Sequence, residues 1–343
     1  MARRPTIQDI AREAGVSIAT VDRVLNGRLR VREETARRVG EAARRIGYHA
    51  VNLIEQRLRA GLPELRLGFV LQKERQDFYR TFAAEIERAV AAAPDVRARA
   101  TIVYSPSQAP AEAAGMLAGL AGRVDAAAAV AVNHPQVAEA VMALKEAGVP
   151  TFALLNDFAQ GERLSYLGLN NLRVGRIAAW MLATAAQSPG KICLFVGGHR
   201  WHGHELRETG LRSHFRECAP SFQVLDTLVN LETRQLTYEA TLDLLERHPD
   251  VKGMYLAGGG MEGAIQALRE TRRPGEVALV VNELTPESRA ALSDRYVTMV
   301  IRTPLERLCQ IAAVQMVAAV LDDAEKVPGQ IFLDPAIYVP ESV

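Results

Sequence analysis

The chain has 343 residues, 41 Lys and Arg against 40 Asp and Glu, a formal net charge of +1, and 48% hydrophobic residues. That length supports two or three domains with full cores, and the near-neutral balance excludes a nucleic-acid coat protein or a membrane-surface protein as a description of the whole chain. Cys193, Cys218 and Cys309 lie far apart without ligand spacing, which excludes a disulfide framework or a zinc ribbon.

The average charge hides a split. Residues 1–62 carry 13 Arg and no Lys against 7 Asp and Glu, a charge of +6, which leaves −5 for the remainder. A polyanionic partner is therefore expected at the N-terminal end. Thr6 followed by Asp9 gives a capping-box start to a first helix, with Ile7, Ile10, Ala11 and Ala14 on one face and Gly15 as its stop. Ser17 caps a second helix whose inward face is Val21, Val24 and Leu25, ended by Asn26-Gly27. A third periodic segment runs from Glu33 to Ile46 and stops at Gly47. Three helices in under fifty residues make one small core.

From Arg66 short apolar runs alternate with amphipathic helices, the pattern of β-α units that build parallel sheets. The predicted strands are RLGFVL, RATIVYS, AAAAVAV, PTFALL, KICLFVG, FQVLDTL, KGMYLAG, VALVV and TMVI. Helices are predicted near 79–93, 109–121, 135–147, 171–186, 204–217, 233–247, 261–272, 286–293 and 304–322. Nine strands exceed one comfortable doubly wound domain, so two lobes are expected. No window approaches the 18 or so apolar residues of a spanning helix, and MARRPT has no apolar run behind it. The expectation is a soluble cytoplasmic protein with no membrane partner.

A helix, a glycine turn and a second helix opened by Ser17 form a helix-turn-helix unit, whose second helix enters the major groove of DNA. Ile18, Ala19, Asp22 and Arg23 are left facing outward. An outward guanidinium can bind guanine bidentately, while Ala and Ile side chains lie against thymine methyls. The competing reading, a helical hairpin that only packs on a larger domain, leaves the Arg-only basic excess unexplained.

The segments PTIQDIAREAGVSIATVDRVLNG and VREETARRVGEAARRIGYH strongly resemble the LacI family of bacterial transcription repressors. The resemblance covers the first sixty residues closely and the rest in pattern. It implies a homodimer reading a pseudo-palindromic operator in double-stranded DNA, with Ile18 and Ala19 choosing sequence and Arg23 contacting base or backbone. Thr6, Ser17, Thr20 and Asn26 complete the implied contacts of the head. Asp22 departs from the family's usual serine; its carboxylate would repel phosphate, and it is expected to pair with a neighbouring Arg. NLIEQRL, residues 52–58, looks like the family's hinge helix with Leu58 as a minor-groove wedge. Glu55, where alanine is usual, and one extra residue after Tyr48 depart from the pattern.

The region after residue 65 resembles the type I periplasmic sugar-binding proteins, which implies an effector between two lobes at the carboxyl ends of strands. Phe78 or Tyr79 would stack on a sugar face. The third strand delivers Asn133 and His134, the fourth Asn156 and Asp157, and LGLNNLRVGR resembles the segment linking the lobes, with Asn170 and Asn171 at its polar end. Trp201 and His202 precede Arg207, which matches the family's Arg three before a glycine and would clamp a hydroxyl pair or carboxylate. Gly260 lies in a close-approach loop, Glu283 ends a strand where relatives place an acid or amide, and Arg302 is comparably placed. Two candidate arginines favour an acidic sugar.

Three other signals compete. His199, His202, His204 and Glu205 suggest a metal cluster, but HExxH spacing is missing, so no metal is expected. GGGMEG satisfies GxGxxG through Gly258, Gly260 and Gly263, with Glu283 about twenty-five residues on; the dinucleotide fingerprint normally sits on the first β-α unit, so no cofactor is expected. A sugar receptor would explain the core and leave the helix-turn-helix unused. No nucleophile elbow, P-loop or paired carboxylates support an enzyme. The expected fold is α/β: an all-α helix-turn-helix domain at 1–50, a hinge and linker at 51–62, and a two-lobed core of parallel sheets at 63–343. Lobe one is expected over 63–160 plus 296–323, lobe two over 161–295 plus 324–343. The expected function is a repressor whose operator affinity is controlled by a sugar, polyol or sugar acid.

Overall fold

A computed structural model of the chain describes residues 4–26, 31–51, 61–321 and 329–343. By internal contacts the chain divides into two compact units, residues 1–65 with 93–98 and residues 66–92 with 99–343.

The first unit holds α1 (Ile7–Ala14), α2 (Ile18–Asn26) and α3 (Glu33–Arg45). The Thr6 backbone N–H and hydroxyl both donate to the Asp9 carboxylate, at 2.8 and 2.7 Å, so the expected capping signal is used. Gly15 ends α1 at φ 65°, a left-handed conformation that glycine adopts without a Cβ clash. Ser17 Oγ accepts the Thr20 N–H at 3.1 Å and opens α2. Ile10, Val21, Val39, Ala42 and Ala43 are fully buried. The alanines on α3 let three short helices close around one small core.

The second unit is two sheets. The first contains β1 (Glu64–Gln72), β2 (Arg97–Ser105), β3 (Ala126–Ala129), β4 (Thr151–Leu154), β5 (Ser165–Leu169) and β12 (Gly329–Leu333), in the order β12-β5-β4-β3-β1-β2. The second contains β6 (Lys191–Val196), β7 (Gln223–Val224), β8 (Leu228–Val229), β9 (Val251–Leu256), β10 (Ala278–Asn282), β11 (Met299–Arg302) and β13 (Ala336–Tyr338). Their order is β13-β11-β10-β9-β6-β7, with β8 also on β6, and β13 is antiparallel to β11. Helices α4 (Asp77–Ala91), α5 (Pro110–Ala118), α6 (Pro135–Glu146) and α12 (Leu305–Leu321) cover the first sheet. Helices α7 (Asn171–Ala185), α8 (His202–Cys218), α9 (Arg234–Arg247), α10 (Met261–Thr271) and α11 (Pro286–Ser293) cover the second. Both faces of each sheet are covered, so the central strands are apolar throughout: β3, β4 and β10 have every residue buried.

All nine predicted core helices are present, within three residues at each end. The strands differ in three ways. FQVLDTL is two short strands, β7 and β8, rather than one; between them Arg212 Nη2 donates to Leu225 O and Thr227 Oγ1, both at 2.9 Å. SYLGL, GQIFL and AIY form β5, β12 and β13, where glycine, short length and mixed polarity blur the alternation. The lobe bounds shift with them. β5 and β12 belong to the first sheet and β11 to the second, the reverse of the expected assignment, because each strand completes its pairing before the chain leaves the lobe. The chain thus crosses between lobes three times, after β5, after β11, and between β12 and β13.

Candidate functional site

Two regions concentrate the residues singled out above. In the first unit, Ile18, Ala19, Asp22, Arg23 and Asn26 are exposed along α2, and Ile18 is 51% exposed although it is a large aliphatic. Ser17 and Thr20 share a hydroxyl–hydroxyl contact of 2.9 Å at the start of that face, and Thr6 is half-buried at the start of α1. Among the described residues Asp22 has no arginine partner; its Oδ1 accepts from Asn26 Nδ2 at 2.6 Å, one helical turn away. That amide therefore already satisfies the acid. Arg12 and Arg45 pair with Asp9 and Glu13 at 3.6 and 3.4 Å. Leu58, Glu55 and the rest of 52–58 fall outside the described residues.

In the second unit a cavity of about 540 Å³ opens between the two lobes at the carboxyl ends of their strands. Six of the expected effector contacts line it: Phe78, Tyr79, Trp201, Arg207, Gly260 and Glu283. Phe78 and Tyr79 enter from the first turn of α4, their rings edge to face at 5.1 Å, and Trp201 stands at the start of α8. Burial first, then Glu232 and Glu283, raises the Tyr79 hydroxyl well above its ordinary range, so it stays protonated.

Arg207 sits in the second turn of α8, held by neutral groups. Its Nε donates to Asn171 Oδ1 at 2.7 Å, its Nη1 to Ala257 O at 2.5 Å, and it also bonds the Tyr255 hydroxyl. Glu283 follows β10 at φ 68°, a conformation a side-chain-bearing residue adopts only when its surroundings impose it. Thr303 imposes it here: its N–H donates to both carboxylate oxygens, at 3.1 and 3.2 Å, and its hydroxyl to Oε1 at 2.7 Å. Burial outweighs these bonds and the nearby Arg207 and Arg302, and pushes the Glu283 carboxyl up to about 7.

Glu232 also lines the cavity, and sequence reasoning missed it. It follows β8, at φ 53°. Its Oε2 accepts from Lys73 Nζ and Gln108 Nε2, both at 2.9 Å and both from the first lobe, while Gly259 N–H donates to Oε1 at 3.2 Å. Trp201 Nε1 donates to Gln108 Oε1 at 3.1 Å, so three bonded pairs span the lobes at one place. Burial alone would raise the Glu232 carboxyl, but Lys73 and the Gly259 N–H hold it below its ordinary value. Burial keeps His204 neutral, at about 4; its Nδ1 accepts from Gly197 N–H at 3.1 Å. The one signal for Glu232 in the sequence is an acid a few residues beyond a strand end, and FQVLDTL reads there as a single strand.

The other four expected contacts lie elsewhere. Asp157 is 4% exposed and points away from the cavity, where Arg163 grips it at 2.6 and 2.8 Å and Gln330 of β12 donates at 2.9 Å. Its neighbour Asn156 faces the cavity instead; its Oδ1 accepts from Gly203 N–H of the second lobe at 2.8 Å. Adjacent residues leaving a strand point to opposite sides, so only one of the pair can serve. Asn133 is exposed and bonds Arg200 O and Ala159 N–H. His202 meets Glu205 at 3.4 Å, and Arg302 turns toward the Tyr338 hydroxyl of β13 at 3.4 Å. His134 caps α6, and Asn170 caps α7.

The glycine-rich turn after β9 is shaped by packing. A Cβ on Gly258 would meet His204 Cε1 at 2.6 Å and Glu232 Oε1 at 2.8 Å, and Gly260, at φ 91°, lies against the Thr237 hydroxyl. Among the described residues no three His, Cys, Asp or Glu side chains are grouped to hold a metal, and no helix is long and apolar enough to cross a membrane.

Comparison with known proteins adds two family matches: the lacI family of bacterial regulatory proteins over residues 6–50, and the periplasmic binding protein domain over residues 67–325. Catabolite control protein A from Staphylococcus epidermidis is 27% identical over 184 residues, 44% of this chain and 55% of that protein. The HTH-type transcriptional regulator RegA from Clostridium saccharobutylicum is 40% identical over 74 residues, 22% of each. The chain thus aligns with about half the length of the first of these curated relatives and less of the other. Among solved structures, a transporter solute-binding protein from Agrobacterium vitis bound to alpha-D-tagatopyranose superposes with a TM-score of 0.74 at 19% identity, covering 81% of this chain and 95% of that one. An arabinose-binding protein from Geobacillus stearothermophilus gives 0.69 at 18%, over 81% and 98%. At these identities the likeness is one of fold.

Proposed function

The chain belongs to the lacI family of bacterial regulatory proteins, with a periplasmic binding protein domain as its core, and from that premise we propose that it is a transcriptional repressor whose operator affinity is set by a small hydroxylated effector. The observation that carries this reading is the pairing, in one chain, of an exposed α2 face in a strongly basic segment with an aromatic-walled, polar-floored cavity between two lobes. Ile18 and Ala19 read bases, Arg23 contacts base or phosphate, and Ser17 and Thr20 bind backbone. In the cavity Phe78, Tyr79 and Trp201 stack on the effector, while Asn156, Arg207, Asn282 and Glu283 bind its polar groups.

The protein works in the cytoplasm as a homodimer on a pseudo-palindromic site, and its role is regulatory rather than catalytic. Effector binding moves the lobes about the three crossover segments, and the linker after residue 50 passes that movement to the head. The aromatic wall and the convergent polar groups support a sugar, a polyol or a sugar acid as effector.

Selection from a random duplex library with the full chain tests the reading. The expected result is an enriched pseudo-palindrome, and a different one for a variant carrying larger polar residues at positions 18 and 19. No enrichment would refute DNA reading by this chain, and an unchanged site in the variant would refute the assignment to Ile18 and Ala19.

A further inference from the structure

The four strands β1 to β4 of the first lobe each lead to a group that reaches the second lobe. Lys73 after β1 and Gln108 after β2 meet Glu232, the Asn133 N–H after β3 donates to Arg200 O at 3.0 Å, and Asn156 after β4 accepts from the Gly203 N–H. The first two belong to a relay. Lys73 Nζ donates to Glu232 Oε2, Gln108 Nε2 donates to the same oxygen, and Gln108 Oε1 accepts from Trp201 Nε1. The four side chains alternate between the lobes, so every bond of the relay crosses the cleft.

The two ends of the relay fix what can stand between them. A carboxylate paired with an ammonium only accepts, and an indole N–H only donates, so the Gln108 amide fits in one orientation, nitrogen toward Glu232 and oxygen toward Trp201. Gln108 is half-buried and does not line the cavity, whereas Trp201 lines it and is 5% exposed. His204 packs on the Trp201 ring from within the second lobe, at 6.0 Å between centroids, and Gln108 supplies the tie to the first. Lys73 and Glu232 both hold left-handed backbones, at φ 43° and 53°, conformations that persist only where contacts fix them. The ion pair between them is such a contact.

We propose that Gln108 is a positioning residue of the cavity: its amide fixes the Trp201 ring in the wall and, through Glu232 and Lys73, ties that ring to the approach of the lobes. The consequence for effector binding rests on the reading above; the hold on Trp201 does not. When the lobes part, all three bonds break together, the Trp201 N–H turns to water and the ring loses its fixed plane. The aromatic wall is complete only with the lobes together, so the affinity for a stacked ring depends on a side chain behind the one that touches it.

The chain has two tryptophans, and Trp180 is 54% exposed, so Trp180→Phe in the full chain leaves Trp201 as the sole indole emitter. In that background Gln108→Met keeps the length of the side chain and removes both polar ends. Its emission should move to the red and its quenching by acrylamide should rise, with unchanged far-ultraviolet circular dichroism. Lys73→Met, two bonds away from Trp201 in the relay, should move the emission the same way by less. Calorimetry with D-glucose, D-galactose, sorbitol and D-gluconate reads the consequence: the tightest binder should lose about two- to tenfold in affinity in Gln108→Met, the worth of one hydrogen bond. Unchanged emission and quenching in Gln108→Met overturn the positioning of Trp201. A shift in Gln108→Met with none in Lys73→Met overturns the tie to the lobes, and unchanged affinity overturns the role in binding. Binding of none of the four to the wild type counts against the effector reading, and the emission still decides the role of Gln108.

Discussion

The α2 face and the inter-lobe cavity use charge in opposite ways. On the first unit the arginines are exposed: Arg12 is 81% and Arg45 64% accessible, and their acid partners are carboxylates of the same small unit. Each such pair is worth under about 1 kcal/mol and is screened by salt. Where the two lobes meet beside the cavity the charges are enclosed; Lys73 and Glu232 are only 20% and 16% accessible, so each group acts at low dielectric and its loss is felt singly. A surface built from many weak cations binds a polyanion through their sum, whereas a cleft built from a few buried groups discriminates through each one.

The widest separation between the two regions is expected under salt. Duplex affinity should fall by about 10³ to 10⁵ between 50 and 200 mM salt if six or more phosphates are contacted, with effector affinity changing little over the same range. Fluorescence anisotropy on the DNA and calorimetry on the effector measure both; a flat DNA response would break the contrast.

Asp157→Asn sharpens the boundary of the cleft. Its carboxylate, 5% accessible, and Arg163, 4% accessible, form a buried pair, and Gln330 and Arg163 tie β12 to the loop after β4. Removing the charge should cost about 3–5 kcal/mol in urea unfolding and leave effector affinity unchanged in the protein that remains folded. Loss of effector affinity without loss of stability would return Asp157 to the binding site.

Glu232→Gln strands Lys73 without an anion and should lower stability by about 2–3 kcal/mol, with a larger radius of gyration in solution scattering as the lobes separate. The pH dependence has a fixed sign. The folded Glu232 carboxyl lies below its ordinary value, so its stabilisation is present above that value and is lost as pH falls through the folded one. The wild type should therefore lose more stability in acid than Glu232→Gln does.

The smallest expected effect is in the head. Thr6→Ala removes one of the two Thr6 donors to Asp9 and should cost about 1 kcal/mol, read as a lower thermal midpoint of the first unit, with effector binding unaffected.

Legibility in the sequence follows the same divide. Thr6, Asp9, Gly15 and Ser17 act on neighbours within three residues, so the three helices of the head and the outward face of α2 could be read directly. The core helices were equally plain. The cavity depends on which of two adjacent residues turns inward, and pattern does not settle that at a strand end: Asn156 faces the cavity and Asp157 does not. Glu232 escaped because it joins Lys73 and Gln108 only after chain segments 159 and 124 residues apart have folded together. The short strands β5, β12 and β13, and with them the true crossover points, are held by pairing partners far along the chain.

Occupancy of the cleft controlling affinity at the head is the claim on which everything else depends. The direct measurement is the dissociation constant of the full chain for its selected duplex at 0.15 M salt, with and without a saturating amount of a sugar, polyol or sugar acid that calorimetry shows to bind the full chain. The account predicts a change of about five- to 150-fold, the ordinary range of coupling between two sites. An identical constant in both conditions, with the compound shown to be bound, would contradict it.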